Sequence, residues 1–135
     1  MRAPYDSARA WWARRREFTL AEIVADGVVH GLGLAIAISI GTLLIVFAAI
    51  GTARAELPAI IVYFVSLLVV FGASMAFNLA PASGFKRVMA RIDQAAIFLF
   101  IAGTYTPFLA LIWGTPGTRL LTALIWGAAL VGIAL

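Results

Sequence analysis

From Leu57 to Ala80 the chain carries no charged side chain, and the same holds from Gln94 to Trp113. From Val28 to Ile50 the one group able to take a proton is His30. Each run meets the roughly 20 apolar residues that cross a bilayer as a helix. Hydrocarbon offers no partner to a backbone amide, so an isolated run of this kind must bond to itself, as a helix does. A fourth run, Leu120 to Leu135, is apolar but shorter. Charged residues make up 12% of the chain, about half the share usual in soluble domains. The sequence therefore predicts an all-α, polytopic transmembrane helix bundle of three full spans and a partial fourth. The helices are expected near 28–50, 57–80, 93–113 and 120–135. They form one transmembrane domain, 28–135, behind a basic and aromatic cytoplasmic and interfacial segment, 1–27.

The basic residues are unevenly placed. Arg2, Arg9, Arg14, Arg15 and Arg16 precede the first run, and Lys86, Arg87 and Arg91 lie between the second and third. The alternate connections hold Arg54 and Arg119. Loops rich in Lys and Arg stay in the cytoplasm, so the N-terminus and the Lys86 loop are expected inside, as in a multi-pass protein of a bacterial inner membrane. With Trp11 and Trp12 beside them, the N-terminal arginines read as a segment resting on anionic headgroups, and not as a nucleic-acid site. Arg15-Arg16 also resembles a twin-arginine export signal, but Glu22, Asp26 and His30 interrupt the entry to the apolar segment behind it. The chain has no cysteine, so thiolate and disulfide chemistry are excluded.

The polar residues at the edges of these runs are the candidate functional groups. Glu22, Asp26 and His30 recur every fourth residue and drift slowly around one helical face. Asp26 can pair with His30, or the three can simply anchor a helix at the interface. Ser74 and Asn78 share a face of the second helix, where such residues bond across helix interfaces. Asp93 is expected to open the third helix, where the macrodipole favours a carboxylate. The predicted topology puts all six at one leaflet, which argues for a shared polar cluster. Further on, Pro107 lacks an amide hydrogen and its ring crowds the carbonyl of Gly103. Gly103, Thr104, Tyr105, Thr106 and Pro107 are therefore expected to form a shaped helix break.

Glu22, Ala25-Asp26, His30-Gly31, Ser74, Lys86-Arg87, Arg91-Ile92-Asp93 and Ile101 to Phe108 together resemble the hemolysin III family, the bacterial branch of the progestin and adipoQ (adiponectin) receptors. The resemblance runs from about Glu22 to the end of the chain. It implies seven transmembrane helices with the N-terminus inside, and a zinc ion in the cytoplasmic half of the bundle. It also implies one histidine ligand from helix two and a His-x-x-x-His pair from helix seven. Ser74 and Asp93 match the serine and aspartate that hold the zinc-bound water, and are the implied catalytic residues. Such a site would hydrolyse an amide or ester in the bilayer, because zinc lowers the pKa of its water.

The chain departs from that pattern. Asn78 stands where the family has its helix-two histidine, and an amide oxygen is a poor zinc donor. Gln94 replaces the histidine that usually comes after the aspartate, and His30 is the one remaining candidate ligand. The ending at Leu135 reads as a truncation before helices five to seven. The expectation is a non-catalytic or degenerate family member without a zinc cofactor. The alternatives are a zinc-dependent, ceramidase-like hydrolase whose missing helices are supplied, and a pore-forming or cytolytic protein. The partners expected are the lipid bilayer and a partner chain or second copy that completes the bundle.

Overall fold

A computed structural model describes residues 19–51, 54–80 and 84–135. The N-terminal arginines and tryptophans lie outside the described residues. The described chain is helical, with no strand, in the order α1 (Leu20–Ile50), α2 (Leu57–Leu79), α3 (Gly84–Leu111) and α4 (Thr118–Ala134). Helices α1, α2 and α3 are long and apolar enough to cross a membrane, and α4 is a shorter apolar helix.

Local chemistry sets the helix ends. The α1 helix starts at Leu20 behind a capping box. The Glu22 amide donates to Thr19 Oγ1 at 3.3 Å, and the Thr19 amide donates to Glu22 Oε2 at 2.8 Å. Two amides that no helical carbonyl could reach are thereby paired. At its other end Arg54 Nε donates to the carbonyl of Ala49 at 2.8 Å, which brings positive charge to a C-terminus. Pro58 sits in the first turn of α2, where a missing amide hydrogen has no cost. Gly114 and Gly117 take φ of 97° and 92° in the α3–α4 turn, a region that side chains disfavour. Thr118 is buried there and donates to the carbonyl of Ile112 at 2.9 Å, closing the turn.

Helix α3 opens at Gly84, and not at Asp93. The Lys86–Arg91 stretch is polar yet helix-compatible, so the helix begins well before the apolar run does. Asp93 therefore sits deep in α3, beyond the first turn where the macrodipole acts.

Among the described residues each helix packs only against its neighbours in sequence. The reason is visible on α2. Phe64 and Phe71 lie over Gly41 and Gly33 of α1, whereas Ser66 lies against Gly103 of α3. Positions 64 and 66 are about 200° apart on a helix of 3.6 residues per turn. Helices α1 and α3 thus flank opposite sides of α2, and the four helices form an open row with no closed interior. Most buried positions are accordingly small. Ala59, Ser66 and Ala73 form the covered stripe of α2, which Ala80 continues at the C-cap, and Ala96, Ala102 and Gly103 serve α3 together with the larger Leu109. In a bilayer, where lipid is as apolar as leucine, close backbone approach through small residues is what holds helices together.

Candidate functional site

The antiparallel return of α3 along α2 brings Ser74 and Asp93 opposite each other. Ser74 Oγ donates a hydrogen bond to Asp93 Oδ1, and both residues are half-buried. One carboxylate oxygen is thus held by a hydroxyl of the neighbouring helix. Asn78 is half-buried one turn beyond Ser74 on the same face of α2. At this end Lys86 Nζ lies 5.3 Å from the centre of the Phe77 ring, a cation–π contact that ties the start of α3 to the end of α2.

The residues of α1 stand elsewhere. Gly27 faces Leu79 and Gly33 faces Phe71, so Asp26 and His30 lie at the depth of Ser74 and Asn78. They approach α2 from the flank opposite α3. His30 Nδ1 is 2.8 Å from the backbone carbonyl of Asp26. A carbonyl can only accept, so Nδ1 carries the proton. The bond that His30 makes is thus to the backbone of Asp26 and not to its carboxylate. Glu22 is exposed, and its carboxylate caps α1.

Gly103 to Pro107 does not interrupt the helix: α3 continues through Pro107. The hydroxyls of Thr104 and Thr106 turn back to the carbonyls of Phe100 and Ala102, at 2.5 and 2.8 Å. Tyr105 is exposed, whereas Gly103 is buried. The glycine is needed for contact, because a Cβ there would collide with Ser66. Ser66, which hydropathy and charge do not mark out, donates to the carbonyl of Tyr63 at 2.8 Å and so hides its own polarity. The signal for it was the spacing of seven among Ala59, Ser66, Ala73 and Ala80. The Thr19 cap was likewise legible as Thr-x-x-Glu ahead of an apolar run.

A catalytic zinc needs three protein ligands and a water. The chain has one histidine and no cysteine, and among the described residues no three His, Asp or Glu side chains gather in reach of one ion. The donor set of this stretch does not fit the zinc site that the resemblance implies. What Ser74 and Asp93 can do by themselves is hold a proton acceptor in a fixed direction between two helices.

A family model described as Haemolysin-III related matches residues 18–135. A Hemolysin-3 homolog of Bacillus subtilis (strain 168) is 35% identical over 117 residues, which cover 86% of this chain and 54% of the relative. Hemolysin-3 of Bacillus cereus is 32% identical over 120 residues, covering 89% and 54%. The chain thus spans about half the length of the curated relatives it matches. No solved structure matches it significantly.

Proposed function

The chain belongs to the haemolysin-III related family, and on that premise we propose that this stretch is a non-catalytic helical scaffold of the bacterial inner membrane. It is a multi-pass membrane protein with three spanning-length helices. The arginine and lysine bias supports a cytoplasmic N-terminus and a cytoplasmic α2–α3 turn. The observation that carries the reading is the donor set, with Asn78 beside Ser74 and a single histidine that bonds within α1. The Ser74–Asp93 hydrogen bond then serves as a lock between α2 and α3. A partner chain or a second copy covers the open row.

The test is metal content, measured by mass spectrometry on the purified membrane protein beside an Asn78→His variant. Zinc is expected in neither. One zinc per chain in the unmodified protein overturns the proposal.

The Ser74–Asp93 geometry favours a second reading, a zinc-dependent intramembrane hydrolase whose ligands come from helices outside this stretch. In that protein Asp93→Asn would abolish hydrolysis of a lipid amide while leaving the zinc bound. A pore is less well supported. An aqueous path needs polar side chains through the full depth, whereas Ser74, Asn78 and Asp93 lie towards one end of the helices.

A further inference from the structure

We propose that α3 is hinged over Gly103–Pro107, so that its end remote from Ser74 and Asp93 swings against α2 while that pair stays fixed. Pro107 is, among the described residues, the one proline in the interior of a helix. It has no amide hydrogen to give the carbonyl of Gly103, so the backbone ladder of α3 lacks a bond there. The ladder is loosened just before this point as well. Thr104 and Thr106 turn their hydroxyls onto the carbonyls of Phe100 and Ala102, and a hydroxyl bonded back to a helical carbonyl lets a helix bend. The carbonyls of Phe100, Ala102 and Gly103 thus all depart from the regular pattern within one turn.

The ties to α2 divide α3 at the same place. Up to Gly103 they are close and specific. Ser74 bonds Asp93, the Tyr63 and Phe100 rings stand 6.1 Å apart, and Gly103 lies against Ser66. That half of α3 is fixed to α2. Past Gly103, among the described residues, no side-chain hydrogen bond or ring contact joins α3 to α2. The packing there is apolar, through the buried Leu109, and packed apolar surfaces permit the small sliding of a hinge or shear motion. The far end moves as one piece with the α3–α4 turn, since Thr118 Oγ1 donates to the carbonyl of Ile112. A hinge is a few residues that absorb a change in φ and ψ between two stiff bodies. Here the stiff bodies are the α2-bound half of α3 and its far end with the turn. The hinge rests on bonds within α3 and between α3 and α2, and it holds for a scaffold and an enzyme alike.

The chain has no cysteine, so spin labels on introduced cysteines have no background. The experiment is double electron–electron resonance on the full chain in liposomes. One label pair replaces the exposed Ile61 and Leu111, beyond the hinge, and a second replaces the exposed Val69 and Ile97, before it. The distance distribution between positions 61 and 111 is expected to be broad. Pro107→Ala, which restores the missing bond, should narrow it to about half its width. The distribution between positions 69 and 97 should be narrow and the same with and without the substitution. Each labelled protein is compared at matching helical circular dichroism. A 61–111 distribution that Pro107→Ala leaves unchanged, or one no broader than that of 69–97, overturns the proposal, as does an equal narrowing of both pairs.

Discussion

Ser66 of α2 occupies the space in which residue 103 of α3 would carry its Cβ. Gly103 and Ser66 are both buried, with Ala102 fully buried beside them. Tyr63 and Phe100 close the same contact, their rings 6.1 Å apart. The α2–α3 interface is therefore set by how near two backbones can come.

Gly103→Ala should destabilise the protein by about 1–3 kcal/mol, the usual cost of forcing atoms into a filled contact. Thermal unfolding in detergent, followed by circular dichroism, measures it. Ser66→Gly in the same chain should recover most of the loss by vacating the space. A loss that Ser66→Gly does not relieve would mean that Gly103 matters for bending α3 and not for contact.

The Ser74–Asp93 hydrogen bond joins the same two helices nearer the α2–α3 turn. A double-mutant cycle of Ser74→Ala and Asp93→Ala, each of which removes the bond, should give a coupling of about 0.6 kcal/mol, and at most ~1.7, as interhelical bonds in membranes do. Additive effects of the two substitutions would mean that the bond does not hold the helices.

Glu22 is bound to Thr19 at the start of α1. Thr19→Ala and Glu22→Ala should each raise amide hydrogen exchange over the first turn of α1, with a cost of about 0.5–2 kcal/mol for the threonine. Exchange around Ser74 and Asp93 should not change. A joint response of Glu22 and Asp93 would place Glu22 in one polar site with the α2–α3 pair.

Much of the architecture was legible in the chain because the bilayer leaves few choices. Long uncharged runs must be helices, and their number is set by where charge returns. The helix starts were harder. Asp93 marks the edge of an apolar run, yet α3 begins at Gly84 because helix formation continues through polar residues. Gly103 and Pro107 read as a break, and the helix continues through both. A proline inside a span is tolerated where neighbouring helices and threonine hydroxyls meet the freed polar groups.

The candidate site divides in the same way. Spacing along one helix predicted which residues share a face, so Ser74 with Asn78 and Asp26 with His30 could be grouped. Hydropathy and charge by themselves determined the helical class, the spanning segments and the depth of these polar groups, because those depend on composition along the chain. Tertiary structure decided which groups touch. It joined Ser74 to Asp93 and put His30 on the far flank of α2. That outcome depends on the angle between Phe64 and Ser66 around one helix, and on the small residues that let α1 and α3 approach from opposite sides.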